Sequence, residues 1–126
     1  MKDNKKIKWF GLLKNYLKIP SETQKEKLVN ELETKYNMYA IKLPEYNYHN
    51  LIYLLQNYVE PLFHYVSVNR EIAKEYKEFN TWWEVYINFN KLVADTLLSF
   101  LGINSIVFLN DYHLLLVPSV LRAQSK

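Results

Sequence analysis

The sequence predicts an α/β fold in which parallel strands are flanked by helices. Short apolar runs alternate along the chain with stretches of helical period, and such alternation is the pattern of a parallel sheet with crossover helices. The best strand, residues 105–109, runs straight into a polar cluster of Asn110, Asp111, Tyr112 and His113. The carboxyl end of a parallel strand is where such sheets meet their ligands. About three strands are legible, whereas a doubly wound domain has about six. The expected architecture is therefore part of a domain.

In chain order, residues 6–10 predict a short strand that ends at Gly11. Residues 12–19 form a connection that the pattern does not type. Pro20 precedes Ser21, and Gln24 follows three residues later. This is capping-box spacing: the serine hydroxyl takes an orphan amide and the glutamine reaches back. The helix then runs to Tyr36, with Leu28, Val29, Leu32 and Tyr36 on one face. Residues 38–43 read as a second strand, closed by Pro44. Residues 48–58 read as a helix with Leu51, Leu54, Leu55 and Tyr58 inward. Pro61 is expected to end it, because proline disfavours helical geometry in the residue before it. Residues 63–68 read as irregular or extended, and 71–79 as a polar connection open to helix.

Thr81 and Glu84 repeat the capping-box spacing and predict the start of a long helix. Its inward face carries Trp83, Tyr86, Phe89 or Asn90, Val93, Leu97 and Leu101. Of Trp82 and Trp83, one is expected in the core and the other at a contact surface. Gly102 stands where a helix end favours a left-handed residue. Beyond the polar cluster, Pro118 suits the first turn of a final helix.

Composition narrows the function. The 126 residues are 49% hydrophobic and 23% charged, which fits one modest globular domain. With only 2 glycines, a Gly-rich phosphate loop is not expected. The net charge of +3 owes much to Lys2, Lys5, Lys6 and Lys8, a solvated end rather than the larger clustered excess that nucleic acid demands. No cysteine is present, which excludes disulfides and Cys-based zinc sites and fits a reducing compartment. His49, His64 and His113 share no metal-site spacing, so no metal and no cofactor are expected. Neither a signal-type apolar core nor an uninterrupted apolar span is visible, so no membrane partner is expected and the cytoplasm is the expected location.

Asp111 is the centre of the candidate site. It reads either as a ligand-binding carboxylate or as the cap of the following turn. His113 reads as a substrate contact or as a satisfied structural histidine. His64 and Tyr65 read as core, and Asp95 as a structural hydrogen-bonding residue.

Several motifs, in order, resemble the N-terminal half of the trehalose-6-phosphate synthase family. Trp9-Phe10-Gly11 is similar to the family's Trp-Phe-Gly-Trp strand end, and Ile19-Pro20-Ser21 to its Ile-Pro-Glu segment. Pro61-Leu62-Phe63-His64-Tyr65 is similar to Trp-Pro-Leu-Phe-His-Tyr. Trp83, Tyr86, Asn90, Ala94 and Asp95 match Trp-x-x-Tyr-x-x-x-Asn-x-x-x-Ala-Asp. Asn110-Asp111-Tyr112-His113-Leu114 through Arg122 resembles His-Asp-Tyr-His-Leu-Met-Leu-Leu-Pro-x-x-Leu-Arg. The resemblance implies an incomplete Rossmann-like lobe of a two-lobed, GT-B type glycosyltransferase, with residues 1–126 as the acceptor-side part and the nucleotide-sugar lobe absent. The family reaction moves glucose from UDP-glucose to glucose 6-phosphate. By resemblance, Asp111 holds the acceptor's hydroxyls, and Tyr112 and His113 belong to the same substrate-binding set.

The departures carry equal weight. Leu12 and Glu60 each stand where the family has tryptophan, and Asn110 where it has histidine. Leu54-Leu55-Gln56 replaces Phe-Ser-Asn. The motif tyrosine falls at or near Leu51, with Tyr48 or Tyr53 as stand-ins if the spacing slips. Glu60 puts a charge where an apolar face is wanted. No residue that would stabilise departing UDP is legible, so no catalytic residue is assigned. The expectation is a truncated or non-catalytic synthase-like subunit. Its expected partners are glucose 6-phosphate and other subunits of a trehalose synthase complex. A fragment of an active synthase and a small α/β interaction module are the alternatives.

Overall fold

The computed structural model describes residues 7–13, 18–64 and 76–124. They divide between two compact units, Met1–Leu43 and Pro44–Lys126.

The first unit is strand, helix, strand: β1 (Trp9–Leu12), α1 (Glu22–Tyr36) and β2 (Met38–Ile41). The strands pair in parallel, with Trp9 opposite Met38 and Leu12 opposite Ile41. Parallel neighbours need a crossover rather than a hairpin, and α1 lies in that connection. The turn from α1 into β2 takes one residue. Asn37 adopts a left-handed backbone (φ 53°) and returns its N–H to the Leu32 carbonyl, a conformation that asparagine tolerates better than most residues. The Trp9 N–H then donates to the Asn37 carbonyl at 2.9 Å. Phe10 stacks on Tyr39 across the strands, with ring centroids 5.1 Å apart.

Three expectations shift here. The first strand lies at Trp9–Leu12, later than residues 6–10, and Lys6 lies outside the described residues. Ser21 has the extended backbone of an N-cap, but its side chain makes no capping bond. Glu22 instead pairs with Lys25 across the first turn at 2.6 Å. Tyr36 is 58% exposed, off the half-buried stripe of Leu28, Val29 and Leu32.

The second unit is helical. α2 (Glu45–Leu54) continues through a π turn, Leu55–Val59, into the short α3 (Glu60–Phe63). α4 (Tyr76–Leu98) and α5 (Val117–Gln124) follow. Leu51, Leu54 and Leu55 of the first segment are buried, as are Trp82, Val85, Tyr86, Phe89, Val93, Ala94 and Leu97 of α4. α2 and α5 both pack on α4. The three leucines explain one departure from the family pattern. Positions that would carry Tyr, Phe and Ser are core here, and a fully buried leucine contributes about 1.5–3 kcal/mol. Tyr53, a possible stand-in, packs its ring on Trp82 at 4.5 Å.

Pro61 does not end the helix. It sits in the first turn of α3, where its missing N–H is tolerated. The Glu60 N–H reaches back to the Leu55 carbonyl, five residues earlier. That widened turn advances the helical phase by one residue, about 100°. The apolar face set by Leu51 and Leu55 therefore does not continue. Leu62 is 67% and Phe63 56% exposed, and His64 is exposed at the end of α3. The core reading of His64 is thus corrected, while Tyr65 and residues 66–75 lie outside the described residues.

α4 already runs at Tyr76, so Thr81 and Glu84 are inside a helix and form no capping box. The buried stripe takes Trp82, and Trp83 at 37% exposure lies at its edge. α4 ends at Leu98, and Gly102 lacks the left-handed backbone expected of it. Asp95 is exposed and makes no side-chain hydrogen bond among the described residues. Residues 105–109 are not a strand. Val107 and Leu109 are half-buried, but Ile106 and Phe108 are almost fully exposed. The two-residue alternation is there; a strand also requires a ladder, and among the described residues only β1 and β2 form one. No helix among the described residues is long and apolar enough to cross a membrane.

Leu54→Ala is expected to destabilise the second unit by about 2–5 kcal/mol. A lowered urea midpoint followed by helical circular dichroism would report it; an unchanged midpoint would contradict the burial of this side chain.

Candidate functional site

The unpaired segment after α4 delivers the chain to Asp111. There the backbone takes φ 77° and ψ 164°. That region is nearly confined to glycine and costs a residue with a Cβ about 1–3 kcal/mol. Asp111 Oδ1 accepts the Tyr112 N–H at 2.7 Å and caps the single turn Tyr112–Leu114. The capping role is therefore real. It leaves Oδ2 uncapped, 3.8 Å from His113 Nδ1, with the Asp111 side chain 46% and the His113 side chain 36% exposed.

Two buried side chains on α4 hold this loop from below. Tyr86 donates its hydroxyl hydrogen to the Tyr112 carbonyl at 2.8 Å. Asn90, fully buried, donates through Nδ2 to the Tyr86 carbonyl at 2.9 Å and to the His113 carbonyl at 3.1 Å. Its Oδ1 accepts the Leu116 N–H at 3.1 Å. Asn90 thus uses three of its four bonding positions, one on a carbonyl of its own helix and two on backbone groups of the loop that no helix or sheet satisfies. Burial raises the Tyr86 pKa above the ordinary 10.0, against opposing hydrogen bonds at Leu115 and Asn90.

Above the loop lies a short file of rings. Phe63 stacks on Tyr112 with centroids 6.1 Å apart, and Tyr112 on His113 at 4.7 Å. The rotated α3 also brings Glu60 to the phenol. The Tyr112 pKa is raised, first by burial, then by the negative charges of Glu60 and Asp111, and by a hydrogen bond to Glu60.

The structure therefore gathers Asp111, Tyr112, His113 and Glu60 in one place. Asn110 precedes them and is exposed. Leu12 belongs to the first unit, at the end of β1. Tyr86 and Asn90 are the positioning residues that sequence reasoning read only as helix face or motif. The available signal was an asparagine one turn after a tyrosine on an otherwise apolar stripe. Phe63 was missed because the π turn that re-aims it has no sequence signature.

The glycosyltransferase family 20 model matches residues 1–126. The chain belongs to glycosyltransferase family 20. It is 30% identical over 128 aligned residues to the alpha,alpha-trehalose-phosphate synthase (UDP-forming) of Yarrowia lipolytica, covering 98% of this chain and 25% of that protein. It is 29% identical over 125 residues to the synthase of the same name from Pichia angusta, covering 94% and 23%. A shorter match, 36% over 67 residues, joins it to a putative 106 kDa synthase subunit of Schizosaccharomyces pombe, covering 53% of this chain and 7% of that one. This family 20 chain thus spans about a quarter of the length of the synthases it matches along almost all its residues.

Asn90→Leu is expected to strip partners from the His113 carbonyl and the Leu116 amide, at about 1–3 kcal/mol for each group left buried and unpaired. Deuterium uptake across residues 111–116 should rise while that of α1 stays constant; unaltered uptake would mean that the loop is held by other contacts. The two raised phenols also fix a sign. Their neutral forms are favoured in the fold, so the stability they contribute is complete below pH 10 and is lost as pH rises through their folded values. The urea midpoint should fall above pH 10, and less steeply in Tyr112→Phe.

Proposed function

We propose that this chain forms the acceptor-sugar side of a trehalose-6-phosphate synthase-like protein, an incomplete Rossmann-like lobe in which Asp111 holds the hydroxyls of a hexose. The observation that carries the reading is the backbone of Asp111. A side chain is kept in a glycine-only conformation, by two buried polar residues beneath it, in a way that leaves one carboxylate oxygen outward. Strain of this kind collects at functional sites. A carboxylate oxygen accepts charge-assisted hydrogen bonds from sugar hydroxyls and orients the one that attacks. His113 Nδ1 lies 3.8 Å from that oxygen, and the Tyr112 ring stacks on the His113 ring.

The family reaction is glucosyl transfer from UDP-glucose to glucose 6-phosphate. Transfer requires donors aimed at the departing UDP, and these belong to the second lobe of such enzymes. The 126 residues alone are accordingly read as non-catalytic. A subunit name among the relatives supports association with other synthase chains, and the lack of cysteine fits a cytoplasmic setting. A second reading, that these residues are one segment of an active synthase, is favoured by the near-complete match to about a quarter of each full-length relative. Membership in the family removes the unrelated interaction module.

Two measurements test the proposal. Millimolar hexose should raise the melting temperature by mass action. Asp111→Asn, which keeps a capping oxygen and removes the charge, should abolish the rise. No rise with either glucose or glucose 6-phosphate would end the sugar-site reading. UDP release from UDP-glucose should be absent for the chain alone; turnover by the chain alone would overturn the non-catalytic reading.

A further inference from the structure

Residues 105–109 alternate as a strand does, yet they pair with no strand among the described residues. Val107 and Leu109 are half-buried, while Ile106 and Phe108 are 89% and 87% exposed. The backbone N–H and C=O groups of residues 106–109 make no backbone hydrogen bond among the described residues. Such groups are strong bonding groups that a neighbouring strand can take over from water.

The segment is nevertheless held at both ends. At its start, the Gly102 N–H donates to Ser105 Oγ at 2.8 Å, and the Ser105 N–H donates to the Gly102 carbonyl at 3.0 Å. Beyond its end, Tyr86 and Asn90 hold the carbonyls of Tyr112 and His113. An extended span fixed at both ends has less freedom left to lose when it pairs, and strand addition to a free edge is a general mode of recognition. Edges are commonly guarded by lysine, proline or an inward charge. Residues 103–110, Ile-Asn-Ser-Ile-Val-Phe-Leu-Asn, carry none of these.

The same residues select the strand that fits. Laid antiparallel about a two-fold axis at Val107, the segment meets itself. Ile106 then faces Phe108 of the second copy, and Phe108 faces its Ile106, which are favourable β-branched and aromatic cross-strand pairs. Ser105 faces Leu109 and Asn104 faces Asn110, so no charge opposes another across the pairing. Ile103 is also fully exposed. At roughly 150 Å² for each large side chain, Ile103, Ile106 and Phe108 from two copies approach the ~1,000 Å² that a specific interface needs. We propose that residues 105–109 form a self-association edge, to which a second copy of this chain adds its own residues 105–109 as an antiparallel strand.

Sedimentation velocity of the full chain over a concentration series tests the proposal, with amide exchange of residues 106–109 measured alongside. The expected result is a concentration-dependent dimer in which those amides become protected. Phe108→Lys, at an exposed position, should weaken the dimer by about tenfold or more while the helical circular dichroism is retained. Ile106→Glu combined with Phe108→Lys sets opposite charges on facing positions of this register, and should regain most of the lost association. A chain that stays monomeric throughout would overturn the proposal. Freely exchanging amides would then leave the edge to a strand of another protein, and protected ones would put its partner within the same chain. A dimer unmoved by Phe108→Lys, or a double variant no better than the single one, would overturn the pairing as well.

Discussion

The site depends on a single buried asparagine. Asn90 sits where the apolar stripe of α4 would accept a leucine, and a buried amide without partners is costly. Its partners are the His113 carbonyl, the Leu116 N–H and the Tyr86 carbonyl, all backbone groups. Tyr86, one turn earlier, adds the Tyr112 carbonyl. A loop after an unpaired segment would otherwise leave the Tyr112 and His113 carbonyls and the Leu116 N–H to water. The clamp fixes the loop's height above α4, and so permits the backbone of Asp111 to stay where residues with a Cβ rarely go. Aspartate capping and outward carboxylate are two consequences of that one constraint.

A second constraint shapes the rim. Inserting one residue into the helical repeat at Leu55–Val59 turns the following residues by about 100°. The same turn lets Pro61 stand inside the helical run, presents Phe63 to Tyr112, and carries Glu60 from a helix flank to the phenol. Family 20 membership is compatible with this rearrangement, because Tyr86, Asn90 and Asp111 keep the spacing of the family motifs.

Legibility in the sequence followed interaction range. α1, β2, α5 and the inward leucines of α2 were readable, because periodicity and proline position act within a turn or two. The parallel pairing of β1 and β2 followed from alternation alone. The capping boxes at Ser21 and Thr81 failed for different reasons. Ser21 has cap geometry without the side-chain bond, and Thr81 is internal to a helix that begins earlier. Residues 105–109 show strand alternation without a ladder, since pairing is decided by a neighbour and not by the segment. Trp82 rather than Trp83 entered the core, a choice one residue wide that depends on where the helix phase begins.

By itself the sequence determined the α/β class, the family, and Asp111, Tyr112 and His113 as the cluster to examine, because all three are local in the chain and carried by short motifs. Only the tertiary structure decided that Asn90 and Tyr86 hold that cluster from 20 or more residues away, and that Glu60 belongs to it. Those contacts join segments far apart in sequence, and the phase of a helix after a π turn is set by packing rather than by composition.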